Sequence, residues 1–139
     1  MTPPLVVKLG GDALASPERI LAAARRLAER RRTGPVVAVA SARRGVTDHL
    51  LDLVEQVRDS AVSSATAGGL AAADRAAAAG EIVAASLLVL ALDGLGVPAV
   101  ALDAQRIAQR SIVAARNALS LVIVEPPFAG GFEWGGGGD

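Results

Sequence analysis

Residues Leu5 to Ile20 read LVVKLGGDALASPERI, and the rest of the chain is read outward from them. Leu5, Val6 and Val7 make a short apolar run of the kind that forms a strand needing neighbours on both faces. Lys8 follows, then Gly10 and Gly11, whose missing side chains let a ligand or another backbone come close. Ser16 is a good helix N-cap, and Pro17 suits the first helical position, where its absent N–H costs nothing. A strand, a lysine, two glycines and a helix start can together hold an anion, with phosphate the usual candidate. The order is not that of a Walker loop, because the lysine precedes the glycines and no Gly-Lys-Ser/Thr follows.

Beyond Ser16, the residues Ile20, Leu21, Ala24, Leu27 and Ala28 recur at helical spacing, so residues 17–32 are predicted to form an amphipathic helix. Arg25, Arg26, Arg30, Arg31 and Arg32 crowd towards its end, where cations complement the helix dipole; this reads as a solvated helix end ahead of a polyanion patch. Gly34-Pro35 stops the helix, and residues 36–40 are a second buried strand. Ser41 to Asp48 then lead into a helix with Leu50, Leu51, Val54 and Val57 on one side. Gly68-Gly69 is expected to divide the alanine-rich residues 60–80 into two helical pieces. An apolar helix over 82–92 follows, ended by Gly94 and Gly96. Residues 97–102 are a third strand with Asp103 at its carboxyl end, 111–119 a short helix or loop, and 121–124 a fourth strand. Residues 1–125 are expected to form one domain, and the glycine-rich residues 126–139 a flexible tail.

The stretch VVKLGG followed by ASPERI resembles the opening of aspartate kinases in the amino acid kinase family. Three further places keep the register: Ser41 with Thr47 six positions on, the Gly80-Glu81 pair, and LGVPAVALDAQ around the third strand. The resemblance covers residues 4 to about 111, the amino-acid-binding half of such a kinase. It implies an α/β fold, a three-layer αβα sandwich with a mainly parallel sheet, amino acid kinase-like and truncated. Alternating helices and apolar strands argue for the same architecture, with helices on both sheet faces and ligands at the carboxyl ends of the strands.

The resemblance also implies roles. Lys8, with the backbone N–H groups of Gly10 and Gly11, would bind phosphate and stabilise the transferring phosphoryl group. Ser41, Thr47 and Glu81 would hold aspartate, Glu81 receiving its ammonium. ATP and Mg2+ would be the cofactors, and the reaction would move the ATP γ-phosphoryl group to the side-chain carboxylate. Each residue also has a plainer reading: Lys8 leaving an edge strand, Ser41 as a turn hydroxyl, Thr47 as an N-cap, Glu81 as an acid at a helix N-terminus.

The sequence departs from the family pattern in places that matter. Leu9 replaces an aromatic residue, and Asp12 stands where the family keeps a hydroxyl. A carboxylate ~4 Å from a phosphate repels it by about 4 kcal/mol at an effective dielectric near 20. With a different substrate Asp12 would instead be a candidate acid or base. Gly135 falls where an arginine that clamps the substrate carboxylate is expected, and Arg43 or Arg44 would have to substitute. The sequence stops where a nucleotide-binding half should begin. Two readings follow: an aspartate kinase-like phosphotransferase completed by another subunit, or a non-catalytic or repurposed homologue binding a small acidic, amino-acid-like ligand or a partner protein.

Composition narrows the rest. At 139 residues one domain is expected. Fourteen basic and fourteen acidic residues give zero net charge, which argues against nucleic acid or an anionic membrane as partner. Without cysteine there is no disulfide or thiolate metal site, and His49 alone makes a histidine-based zinc site improbable. No basic leader precedes the first apolar run, and the apolar region 82–102 is cut by Asp93, Gly94, Gly96 and Pro98. A soluble cytoplasmic protein is the expectation, with the apolar helix 82–92 sandwiched in the core or buried in a homodimer.

Overall fold

The computed structural model describes residues 3–60 and 66–102, and the backbone of 120–124. In chain order the elements are β1 (Leu5–Leu9), α1 (Pro17–Arg31), β2 (Val36–Ala40), α2 (Val46–Ser60), α3 (Ala67–Asp93), β3 (Ala99–Leu102) and β4 (Ser120–Val124). The expectations for residues 111–119, for Asp103 and for the tail at 126–139 lie outside the described residues. The strands form one sheet in the order β1-β2-β4-β3. β1 and β2 pair in parallel, while β4 runs antiparallel to both β2 and β3. Three of the four strands therefore point the same way, which makes this an α/β fold with a mainly parallel sheet.

Ser16 caps α1 as its sequence suggests, its hydroxyl accepting from the Arg19 N–H at 3.3 Å, with Pro17 next in line. Ile20, Ala23, Ala24 and Leu27 form the buried face of α1 at a spacing of three and four residues. They meet Val36, Ala38 and Ala40 of β2 and Ala84, Ala85, Leu88 and Leu92 of α3 in one core. Alanines supply much of the contact, so the elements approach closely and each contact buries little apolar area.

Two expectations are corrected here. The alanine-rich region and the apolar helix are not separate pieces: α3 runs unbroken for 27 residues from Ala67. Gly68 and Gly69 sit in its first turn, where the Thr66 hydroxyl accepts from the Gly69 N–H at 3.1 Å. Alanine's helix propensity carries the chain through the stretch, and tertiary packing fixes it. By length and composition this helix could cross a membrane, contrary to the interruptions read in the sequence. One side of it packs on α1, α2, β2, β3 and β4, while Leu70, Ile82, Val83 and Leu90 are exposed among the described residues.

The second correction concerns the sheet. β1 is an edge strand among the described residues, and with these alone Val6 is 64% exposed and the strand is covered on one face. Paired strand residues point to the same side of a sheet, which puts Leu5, Val7 and Leu9 with Val36, Ala38 and Ala40 beneath α1 and α3. Val6, Lys8, Val37 and Val39 take the opposite face. Among the described residues no helix covers that face, since α2 packs on α3 rather than on the sheet.

Candidate functional site

Three segments converge where β1 and β2 end. The Ser41 N–H donates to the Leu9 carbonyl at 3.0 Å, extending the parallel pairing by one step. The Arg44 N–H donates to the Gly11 carbonyl at 3.3 Å, tying the loop after β2 to the glycine turn. That approach leaves no space at Gly11: a Cβ there would lie 2.8 Å from the Ala42 carbonyl oxygen. From the other side comes α3, whose buried Gly80 faces Ala42, Val46 and Leu50. The loop from Ser41 to Val46 is thus wedged between the glycine turn and the middle of α3.

Gly10 differs from Gly11. Nothing lies within 4 Å of where its Cβ would be, so packing does not demand a glycine there. Its carbonyl accepts from Ala13 at 3.0 Å, but neither the Gly10 nor the Gly11 N–H donates to a backbone carbonyl among the described residues. Two successive amide donors without a backbone acceptor thus stand beside an open position. Lys8, exposed, leaves β1 just before it, on the sheet face opposite α1 and α3. The plainer reading of Lys8, a lysine on an edge strand, therefore describes its position and leaves its ammonium accessible.

The two arginines of the loop have separate tasks. Arg43 reaches back to the glycine turn, its Nε donating to the Leu14 carbonyl at 3.1 Å and its Nη2 to the Ala15 carbonyl at 2.8 Å. It holds the turn that leads into α1 and is not placed to clamp a substrate. Arg44 pairs with Asp12, Nε to Oδ1 at 2.7 Å, and its Nη2 donates to Oδ2 at 3.3 Å. Arg44 is the counter-ion of Asp12, so the repulsion expected of that carboxylate is offset by a guanidinium. Both side chains are well exposed (75% for Arg44 and 62% for Asp12), so solvent screens the pair.

Thr47 is exposed and is the second residue of α2, so it is not the N-cap of that helix. The chain enters α2 through Gly45 at a φ of +77°, a conformation natural to glycine, and the Gly45 carbonyl accepts from the His49 N–H at 3.1 Å. Ser41 is half-buried. Glu81 lies in the interior of α3, not at a helix start, so helix-dipole compensation does not account for it. Burial pushes its carboxyl above the ordinary carboxylate range. Among the described residues no cation pairs with it, which suits a carboxylate awaiting an ammonium. Gly10, Gly11, Ser41 and Glu81 thus come from segments that share one rim. The support given by Arg43 was not read from the sequence, where only its charge was visible.

The described residues form an α/β domain whose strands mostly point one way, with a lysine near the end of its first strand and a Gly-Gly turn after it. The amino acid kinase family pattern matches residues 3–135, and the chain belongs to that family. The match runs well past residue 111, so the altered C-terminal stretch is included. An aspartate kinase of Pseudomonas putida is 37% identical over 97 residues, which are 69% of this chain and 22% of that enzyme. The crystal structure of aspartate kinase from Synechocystis aligns with a TM-score of 0.60 at 31% identity, covering 70% of this chain and 16% of that one. The chain spans about a fifth of the length of the relatives it resembles.

Proposed function

We propose that this chain is the phosphate- and amino-acid-binding part of an aspartate kinase-like phosphotransferase, and that a second polypeptide supplies the nucleotide-binding part. The observation that supports this most is the pair of free N–H groups at Gly10 and Gly11 beside the exposed Lys8. The residues fit an oligophosphate: the ammonium of Lys8 and the two N–H groups would hold phosphoryl oxygens, and positioning of that kind supplies most of the catalysis in phosphoryl transfer. ATP with Mg2+ would supply the transferable group. Glu81 would receive the ammonium of aspartate, with Ser41 and Thr47 as hydroxyl donors around its carboxylates.

In this reading the protein is cytoplasmic and binds neither nucleic acid nor membrane. α3 supports a homodimer: Ile82, Val83 and Leu90 are exposed on it, with the small Ser86 between them. Positions 82, 86 and 90 are four residues apart and share one face.

The second reading is a non-catalytic or repurposed homologue that binds a small acidic ligand or a partner protein. Asp12 favours it, because its carboxylate stands beside the glycine turn where phosphate would bind and already occupies the guanidinium of Arg44. An acyl-hydroxamate assay with aspartate and Mg·ATP, alongside thermal shifts with each ligand, separates the two. Turnover lost in Lys8→Ala supports the phosphotransferase. A thermal shift with aspartate alone and no turnover supports the binding protein.

A further inference from the structure

Arg44 and Asp12 meet in the two-point grip by which an arginine ordinarily holds a carboxylate or phosphate group of a ligand, Nε to Oδ1 at 2.7 Å and Nη2 to Oδ2 at 3.3 Å. Here the gripped group belongs to the protein itself. Asp12 directly follows Gly10 and Gly11, and the Arg44 N–H is bonded to the Gly11 carbonyl at 3.3 Å. The guanidinium therefore springs from a backbone that is fastened to the glycine turn.

The two ends of Asp12 are held differently. Its carbonyl accepts from Arg19 Nη1 at 2.8 Å and from the Ala15 N–H at 3.4 Å, which fixes the backbone. Its carboxylate is held by Arg44, and rotation about the Cα–Cβ bond carries it off the guanidinium without moving the turn. Arg43 has no such freedom, because it is committed to the Leu14 and Ala15 carbonyls. A carboxylate with one negative charge competes poorly for a guanidinium against an oligophosphate that carries several.

We propose that Asp12 is a tethered stand-in for a ligand's anionic group: it holds Arg44 until an oligophosphate reaches the Gly10-Gly11 turn, displaces it and takes the guanidinium as a further phosphate contact. The inference rests on the phosphotransferase reading, in which phosphate binds at that turn, and it adds a threshold to that site. Ligands with enough negative charge to outcompete a carboxylate engage Arg44, whereas a singly charged anion leaves the pair closed. The alternative role is a plain tie that fastens the loop after β2 to the glycine turn. The two roles differ in sign, since breaking a tie weakens binding and removing a competitor strengthens it.

Calorimetric titration with inorganic tripolyphosphate reads that sign. Asp12→Asn keeps the shape of the side chain and removes its charge, and it is expected to bind several-fold more tightly than wild type. Loss of a repelling charge would also tighten binding, so Arg44 has to be shown to take part. Asp12→Asn/Arg44→Gln is expected to lose most of the gain. In the wild type, the Nε–H resonance of Arg44 should shift on addition of tripolyphosphate and stay in place with acetate at the same ionic strength. This measurement needs no variant and stands even if Asp12→Asn fails to fold. Binding that is lost in Lys8→Ala but is unchanged or weaker in Asp12→Asn overturns the inference and leaves the phosphotransferase reading in place. An Arg44 resonance that does not move at saturation does the same. Absence of binding in both wild type and Asp12→Asn overturns both. Tighter binding that needs Arg44 but not Lys8 supports the displacement and removes Lys8 from the phosphate site.

Discussion

The Cβ of Ala42 lies 3.1 Å from the place where a Cβ on Gly80 would stand, so the middle of α3 and the loop after β2 meet with no room for a methyl group between them. Val46 Cγ1 at 3.0 Å and Leu50 Cδ1 at 3.4 Å close the same contact from α2. Glu81 follows directly in the helix after this crossing. Gly80→Leu is therefore expected to lose about 1–3 kcal/mol through overpacking, read as a lower midpoint in urea unfolding. It should also weaken aspartate binding, because Glu81 follows directly in the helix.

The two neighbouring glycines should separate fold from ligand. Gly11→Ala drives a methyl group into the Ala42 carbonyl, 2.8 Å away, and is expected to cost about 1–3 kcal/mol. Gly10→Ala meets nothing and should leave the unfolding midpoint within about 0.5 kcal/mol of wild type. If a phosphate occupies the open space beside Gly10, the added methyl group should lower affinity for inorganic tripolyphosphate in calorimetric titration.

Arg43 and Arg44 are adjacent and similar in composition, yet their variants should differ. Arg43→Ala removes two charge-assisted hydrogen bonds to the Leu14 and Ala15 carbonyls, at a cost of about 2 kcal/mol. Arg44→Ala breaks an exposed pair with Asp12 and should cost less than about 1 kcal/mol. Denaturant unfolding of the two single variants measures the contrast. Phosphate affinity should fall further in Arg44→Ala, because Asp12 is then left without its counter-ion.

Glu81 gives a pH dependence of defined sign. Its carboxyl is raised above the ordinary value of 4.5 by burial, so between that value and its own the folded state binds more protons than the unfolded one. Stability therefore falls as pH rises through this window, and it stays at the lower level above it. Glu81→Gln should be more stable than wild type at pH 7, with the difference vanishing below the ordinary carboxylate value. Unfolding titrations across pH 3–8 test this, and saturating aspartate should shrink the difference if its ammonium pairs with Glu81.

Much of this arrangement was legible in the order of residues. Ser16-Pro17 marked the start of α1 because capping is a local matter, settled within four residues. Val36 to Ala40 is legible as a strand, and Gly10-Gly11 as a turn after one, because apolar runs and glycines state their backbone preferences directly; that β1 continues through Lys8 and Leu9 is not. What the sequence could not separate was the two roles of glycine. Gly11 is required by an oxygen thirty-one residues away, Gly10 by no protein atom, and Gly80 by a helix crossing in the middle of what had read as a helix boundary. Likewise the charges of Asp12, Arg43 and Arg44 were visible, but which arginine held the turn and which faced the carboxylate depended on the docking of one loop against another. Local propensity determined the elements. Contacts between residues distant in the chain decided that β1 lies at an edge of the described sheet, that α3 is one helix, and that the middle of α3 meets the loop after β2, because only packing brings those segments within reach of each other.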